Sequence, residues 1–180
     1  MSLKTIVKQN KALKAAALSA RRALEPLLTL YMRLCRRLLP MRAGAVFCSS
    51  FDGARFNDNV RAVAEALHAL RPDLKIEVEL RRREWPGAPD WVTPVPRYSL
   101  KALRRMATAR CVVKNAALKP WMRVFPGQYY VQTWHGDRGF KRVRLDAHPD
   151  LKWVPREARE MGLAVSGSEF GSRVYRSAFG

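Results

Sequence analysis

Residues 45–80 read AVFCSSFDGARFNDNVRAVAEALHALRPDLKIEVEL, and the pattern of this segment predicts the fold class. It opens with an apolar run at 45–49, which is typical of a strand buried on both faces. Apolar side chains then recur at helical spacing through residues 59–70, and residues 75–80 alternate like a second strand. A strand, a helix and a strand in this order predict a βαβ unit with parallel strands.

The rest of the chain repeats this alternation. The pattern predicts strands at 111–114, 129–134 and 163–166, and helices at 99–109 and 169–179. Residues 81–97 contain four prolines and are predicted to form a loop. The predicted fold class is α/β: a doubly wound, mostly parallel Rossmann-like sheet preceded by amphipathic helices. Ligands of such sheets bind at the carboxyl ends of the strands, where the loops gather.

Charge restricts the partners of the chain to anions. It has 34 basic and 15 acidic residues and a net charge of +19. Ten of the basic residues fall within residues 1–43, whose single acidic residue is Glu25. Such an excess suits nucleic acid, an anionic membrane or a polyphosphate-like substrate, and composition does not choose among them.

The first 43 residues are predicted to be helical. Residues 3–24 contain neither glycine nor proline, and Pro26 is predicted to open a second helix that ends before Pro40. Within that second helix, Arg33, Arg36 and Arg37 form a basic face beside an apolar face. The apolar face comprises Leu27, Leu28, Tyr31, Leu34, Cys35 and Leu38.

This pattern favours a helix that lies in a membrane interface, with its arginines on anionic headgroups. The alternative is a helix packed on the following domain with its charges solvated. We therefore divide the chain into a membrane-associating segment, 1–43, and a Rossmann-like domain, 44–180. No apolar run is long enough to span a bilayer and no signal peptide is visible, so we expect a peripheral protein at the cytoplasmic face of the membrane.

The three cysteines do not predict a metal site. Cys35, Cys48 and Cys111 are far apart, and no pair has the spacing of zinc ligands. We expect buried free thiols and no metal.

Three loops that follow predicted strands carry polar residues. The first includes Gly53, which permits a close backbone approach, and Asn59, near a helix start that offers free N–H groups to an anion. The second is Lys114-Asn115, at the end of a short strand. An ordinary capped turn and a solvated strand end explain these two loops as well.

The third loop contains the strongest candidate for a catalytic group. His135 directly follows a predicted strand and precedes Gly136, a position where open α/β folds place catalytic residues. Asp137 is available to orient the imidazole. Three nearby cations are available to hold phosphate: Arg138, Lys141 and Arg142. The alternative is a structural histidine.

At these residues the chain resembles the CDP-glycerol glycerophosphotransferase family. The family's motifs appear in order at residues 47–53, 58–59 and 113–115, and as Gln132-Thr133-Trp134-His135-Gly136. A Ser-x-Ser-Glu segment follows at residues 166–169. The chain departs from the family after Gly136, where it carries Asp137, Arg138, Gly139 and Phe140 and matches a family lysine only at Lys141.

The resemblance implies a function for the site. His135 would be the general base, supported by Asp137, Gln132 and Thr133. Phosphate or acceptor would be bound by the remaining site residues: Arg138, Lys141, Arg142, Lys114, Asn115, Gly53 and Asn59. The histidine would deprotonate a hydroxyl of a polyprenol-linked polymer acceptor, and that oxygen would attack the glycerol-bearing phosphate of CDP-glycerol.

The resemblance also implies a fold of two Rossmann-like domains, the GT-B architecture, in which this chain is the amino-terminal half. A separate donor-binding domain would hold CDP-glycerol, and we expect no cofactor within this chain. The alternatives are a non-catalytic truncated protein, a basic module that binds anionic lipid or polymer, and a nucleic-acid-binding protein. The absence of a helix-turn-helix, RRM or KH signature disfavours the last.

Overall fold

The computed structural model describes residues 11–136 and 142–180. Within them lies a parallel sheet of six strands in the order β3-β2-β1-β4-β5-β6. The strands are β1 Arg42–Ser49, β2 Lys75–Leu80, β3 Val92–Pro96, β4 Ala109–Lys114, β5 Tyr129–Gln132 and β6 Leu163–Ala164. The order reverses between β1 and β4, which is the switch point of a Rossmann fold.

Helices cover both faces of this sheet. Among the described residues, the α-helices are α1 Lys11–Leu38, α2 Asp58–Leu70, α3 Leu100–Thr108, α4 Val154–Glu160 and α5 Glu169–Phe179. The loops of the same part of the chain contain two short 3-10 helices, Arg82–Gly87 and Arg144–Asp146. The predicted doubly wound Rossmann-like class is therefore confirmed.

The core is divided between the two faces because side chains alternate along each strand. Phe47 of β1 packs on one face with residues of α1 and α3, including Met32 and Leu103. Its neighbour Val46 packs on the other face with residues of α2, such as Val60. A third cluster joins α4 and α5 around Trp134 and Phe179.

The predicted break between two amino-terminal helices is wrong. Helix α1 runs without interruption from Lys11 to Leu38 with Pro26 inside it. Proline removes one hydrogen bond of the helix, but the turns after Pro26 are held from outside. Met32 and Cys35 are buried in the core, and Thr29 Oγ1 lies 2.8 Å from the carbonyl oxygen of Trp121.

The segment predicted as a loop, 81–97, also contains a strand. Strand β3 includes Pro94 and Pro96 and lies at the edge of the sheet. Prolines are tolerated there because one side of an edge strand needs no ladder hydrogen bonds. The seven-residue helix α4 was not predicted either. No helix among residues 11–136 and 142–180 is long and apolar enough to cross a membrane.

Candidate functional site

A row of buried polar residues ends the three central strands. Ser49 of β1 pairs in register with Lys114 of β4, and Lys114 pairs with Gln132 of β5. The next residues along the chain, among them Asn115 and Thr133, are also buried. Polar groups are rarely buried without partners, and this cluster makes the carboxyl ends of the strands the candidate functional site.

The loop after β1 has an unusual backbone. Phe51, Asp52 and Gly53 have φ values of 45°, 54° and 73°, in the left-handed region that favours glycine. A Cβ on Gly53 would lie 2.8 Å from Glu79 Cγ. The close approach expected at Gly53 is therefore made by Glu79. Two consecutive non-glycine residues in this conformation indicate local strain, of the kind that gathers at functional sites.

Asp52 brings two lysines to this loop. Its Oδ1 lies 3.4 Å from Nζ of the buried Lys114, and its Oδ2 lies 2.6 Å from Nζ of the partly exposed Lys119. Burial alone would raise the pKa of the Asp52 carboxyl, but the two ammonium groups outweigh that effect. Its pKa therefore lies below its ordinary value of 3.8. Lys114 also donates to Ser49 Oγ at 3.4 Å.

Asn115 connects the loops of the site. Its Oδ1 accepts the backbone N–H of Phe51 at 2.7 Å, and its Nδ2 donates to Asp58 Oδ2 at 2.9 Å. Its carbonyl oxygen lies 2.9 Å from Nδ1 of His135. One buried residue thus links the loop after β1, the start of α2 and the histidine.

The contact with Asn115 determines the tautomer of His135. A carbonyl oxygen can only accept, so Nδ1 must carry the proton, and in the neutral imidazole the free lone pair is on Nε2. The residue is exposed, and its ring packs against Phe51 and Trp134 at centroid distances of 5.5 and 4.6 Å. An oriented imidazole with a basic nitrogen toward solvent is suited to general base catalysis.

Gln132 and Thr133 are buried behind the histidine. Gln132 Oε1 accepts the N–H of Trp134 at 2.9 Å, and the N–H of Thr133 donates to the carbonyl of Lys114 at 2.8 Å. Asn59 Nδ2 lies 3.4 Å from the carbonyl oxygen of Trp134 and so ties the first turn of α2 to the histidine turn. Gln132 and Thr133 thus bond to the main chain on either side of the histidine turn, and their support of His135 stays a prediction.

The cations predicted to bind phosphate differ in their exposure to solvent. Lys114 is wholly buried and ion-paired, whereas Arg142 is exposed. Asp137, Arg138 and Lys141 lie outside the described residues. Among the described residues, the hydrogen bond that orients the His135 ring is the one to the Asn115 carbonyl oxygen.

Helix α1 has three different faces. Leu28, Tyr31, Met32 and Cys35 pack on the domain. A second face is exposed although it is apolar, and we call it the leucine stripe: Leu24, Leu27, Leu30, Leu34 and Leu38. The third is the basic face, on which Arg33 and Arg37 are exposed and Arg36 is half-buried. One face of α1 therefore packs on the domain, as the alternative predicted, and a second apolar face is exposed to solvent.

Sequence reasoning missed five residues around the site: Asp52, Lys119, Tyr130, Arg144 and Glu157. Glu157 is buried, forms an ion pair with Arg144 and accepts the N–H of Leu118 at 2.8 Å. Burial raises the pKa of Glu157 in spite of Arg144. Its only sequence signal was an acidic residue in a short amphipathic segment, which is typical of a solvated helix face.

The described residues contain no group of His, Cys, Asp or Glu side chains that could hold a metal ion. Cys35 and Cys48 are buried free thiols and Cys111 is partly buried. Burial raises the pKa of the Cys111 thiol to about 11, which keeps it protonated and unreactive.

Comparison with known proteins identifies relatives over most of the chain. The family model described as CDP-glycerol:poly(glycerophosphate) glycerophosphotransferase matches residues 30–180. The teichoic acid poly(glycerol phosphate) polymerase of Bacillus spizizenii strain W23 is 28% identical over an alignment of 158 positions that covers 79% of this chain and 39% of the relative. The polymerase of the same description from Bacillus subtilis strain 168 is 30% identical over an alignment of 162 positions that covers 84% of this chain and 21% of the relative.

Solved structures of the wall teichoic acid polymerase TagF have the same fold. One matches with a TM-score of 0.70 at 20% identity, covering 99% of this chain and 45% of that chain. A variant soaked with CDPG matches with a TM-score of 0.69. The chain therefore spans less than half the length of the relatives and structures it matches.

Proposed function

Because the chain belongs to the CDP-glycerol:poly(glycerophosphate) glycerophosphotransferase family, we propose that its Rossmann-like domain is the acceptor side of such an enzyme. The family uses CDP-glycerol as donor and a polymer as acceptor. His135 takes the proton of the acceptor's terminal hydroxyl on Nε2. The freed oxygen bonds to the glycerol-bearing phosphorus, and the bond from that phosphorus to CMP breaks.

The observation that carries this proposal is the orientation of His135. Its Nδ1 is held by the Asn115 carbonyl at 2.9 Å, which leaves Nε2 as the basic nitrogen. A base positioned within reach of its proton contributes typically about 10²–10⁴-fold to a rate. Phosphoryl transfer depends otherwise on positioning and on neutralisation of charge, for which this site has cations.

We assign the cations to the phosphate groups of the acceptor or donor. Lys119 is partly exposed and paired with Asp52. It can leave Asp52 to bind an incoming phosphate, while Asp52 stays paired with Lys114. Arg142 is exposed beyond the histidine turn. Arg138 and Lys141, outside the described residues, are proposed for the same role, and Gly53 and Asn59 shape the floor of the site.

We assign donor binding to a second α/β domain, continuous with this chain or separate from it. Residues 11–136 and 142–180 contain one parallel sheet, and His135 and Lys114 lie at the carboxyl ends of its strands. Bringing CDP-glycerol to Nε2 then requires a facing surface. The 180-residue chain alone is expected to release no CMP from CDP-glycerol.

Helix α1 is proposed to attach the protein to the cytoplasmic face of the membrane, where a polyprenol-linked acceptor would be anchored. The leucine stripe leaves Leu27 59% and Leu38 73% exposed, beside the basic face of Arg33 and Arg37. An apolar face next to arginines suits an interface with anionic lipid. In this proposal residues 1–43 associate with the membrane and residues 44–180 act on the acceptor.

A chimera tests the catalytic proposal. Residues 44–180 replace the matching segment of the Bacillus subtilis polymerase, and CMP release from CDP-glycerol is measured with an acceptor. We expect His135→Ala to lower turnover by about 10²–10⁴-fold. His148→Ala is the control, because His148 is also exposed but follows the 3-10 helix Arg144–Asp146 rather than a strand. Near-normal turnover of the His135→Ala chimera would contradict the proposal.

The second candidate is a non-catalytic module that binds anionic lipid or polymer. The exposed leucine stripe and the net charge of +19 favour it independently of His135. A chimera that folds without turnover, together with a chain that binds anionic vesicles, would support this candidate over the enzyme.

A further inference from the structure

The backbone at Trp134 needs outside support. Its φ is +50°, in the left-handed region that non-glycine residues with large side chains rarely adopt. His135 follows directly, so the direction of the imidazole depends on this turn. A strained conformation persists only where its surroundings hold it.

One hydrogen-bonded path reaches the backbone of Trp134 from helix α4. The hydroxyl of Tyr130 donates to Glu157 Oε1 at 3.2 Å and accepts from Gln132 Nε2 at 2.7 Å. Gln132 Oε1 in turn accepts the N–H of Trp134 at 2.9 Å. Tyr130, Gln132 and Glu157 are each at most 1% exposed, so water does not compete for these bonds.

A second path reaches the indole of the same residue. The other oxygen of Glu157 is paired with Arg144, whose guanidinium lies over the Trp134 ring at 5.8 Å and over the Phe179 ring at 5.4 Å. Phe179 also packs edge-on against Trp134, with ring centroids 5.6 Å apart. Cation–π contact and packing thus fix the side chain while Gln132 fixes the main chain.

We infer that Glu157 is a positioning residue for His135, acting on the Trp134 turn through Tyr130 and Gln132 on one side and through Arg144 on the other. Among the described residues, the hydrogen-bond and ion-pair partners of the Glu157 carboxylate are Leu118, Tyr130 and Arg144, so it acts on His135 through other residues. Its two carboxylate oxygens join the two paths, so one residue of α4 holds both parts of Trp134. The inference rests on the proposed function only in treating His135 as the group that must be oriented.

Nuclear magnetic resonance of the 180-residue chain tests this without turnover. The variants are Tyr130→Phe, which removes the hydroxyl and keeps the ring, and Glu157→Gln, which keeps the shape and removes the charge. Glu160→Gln is the matched control. Glu160 lies on the same helix, accepts the N–H of Val124 at 3.2 Å and lies 3.3 Å from Arg156 Nε, but has no bond toward Trp134.

Two signals are followed: hydrogen exchange of the Trp134 amide and the ¹⁵N shifts of the His135 ring, which report its tautomer. In Tyr130→Phe and Glu157→Gln we expect the amide to exchange roughly three- to tenfold faster, as befits the loss of one buried hydrogen bond. We also expect the Nδ1–H tautomer to lose its dominance. Both signals should stay at the parent's values in Glu160→Gln.

Parent values in both Tyr130→Phe and Glu157→Gln would overturn the inference, even if the variants melted at a lower temperature. If Glu157→Gln fails to fold, Tyr130→Phe decides alone, because it leaves the ion pair with Arg144 in place. Failure of the proposed function would look different: the His135→Ala chimera would keep its turnover while these signals still changed as expected.

Discussion

Helix α1 and the carboxyl edge of the sheet are opposite exceptions to the rule that apolar side chains are buried and polar side chains are exposed. On α1, the leucine stripe places apolar side chains in water, with Leu38 73% exposed. At the edge, polar side chains are in the core, and Lys114 is 0% exposed. Buried polar groups and exposed apolar patches are the two informative exceptions to hydrophobic burial.

The two exceptions differ in how they are stabilised. Lys114 is held by Asp52 and Ser49 inside the protein, so removing a partner should cost stability. The side chains of the leucine stripe are 44–73% exposed, so altering them should cost binding rather than folding. Substitutions at the carboxyl ends of the strands are therefore expected to lower folding stability. Substitutions in the leucine stripe are expected to weaken membrane binding.

The largest expected effect is at Trp134, which anchors the edge. Trp134→Ala removes a ring that is 9% exposed and packed against Phe179, and should lower the free energy of unfolding by about 3–5 kcal/mol. His135→Ala, one residue along, should change it by less than about 0.5 kcal/mol because the ring is exposed. Urea unfolding of both variants measures this. Equal losses would make His135 a structural residue.

Asp52→Asn should cost about 3 kcal/mol at neutral pH, because it leaves the buried Lys114 without its counter-charge. The pKa of Asp52 is lower in the folded protein than its ordinary 3.8, so the carboxylate stabilises the fold above that pH. This contribution is lost as the pH falls through the lowered pKa.

Urea unfolding as a function of pH checks both parts. The difference between the parent and Asp52→Asn should be constant near neutral pH and shrink below about pH 4. Asp73→Asn is the control: Asp73 also pairs with an adjacent cation, Arg71, but on the exposed surface, and should show little change. A difference that grew on acidification would contradict the ion-pair account.

Gly53→Ala should destabilise by about 1–3 kcal/mol. Its φ of +73° disfavours any side chain, and the new Cβ would lie 2.8 Å from Glu79 Cγ. Gly44→Ala is the control, since no atom lies within 4 Å of a Cβ at that position. Thermal unfolding of the two variants compares them. A Gly53→Ala protein as stable as Gly44→Ala would show that the loop after β1 is not strained.

The smallest effect on stability is expected in the leucine stripe. Leu27→Ser with Leu34→Ser should change the free energy of unfolding by less than about 0.5 kcal/mol per site, because both side chains are exposed. Binding to vesicles containing anionic lipid should fall about tenfold. Met32→Ala is the reverse control, since Met32 is 0% exposed and should lose stability instead. Unchanged vesicle binding by the double variant would contradict the membrane proposal.

Local periodicity determined the Rossmann-like class, because strand and helix patterns depend on neighbouring residues alone. The position of His135 after a strand was visible for the same reason, and so were the basic and apolar residues of α1. The motif at residues 132–136 identified the family. The prolines of β3 concealed that strand, since their tolerance depends on its place at the edge of the sheet. Pro26 suggested a break that packing on the domain prevents.

The surroundings of the histidine depend on contacts between residues that are distant in the sequence. The Asn115 carbonyl that orients it is 20 residues away along the chain, and Tyr130 and Glu157 are 27 residues apart. Parallel strands in register bring such residues together at one edge, and no local pattern encodes that meeting. The same holds for α1. Its sequence shows which residues are apolar, but not which of them are buried on the domain and which stay exposed. The sheet and α3 cover Met32 and Cys35 and leave the leucine stripe in water, because a helix on a flat surface can bury only the face it lies on.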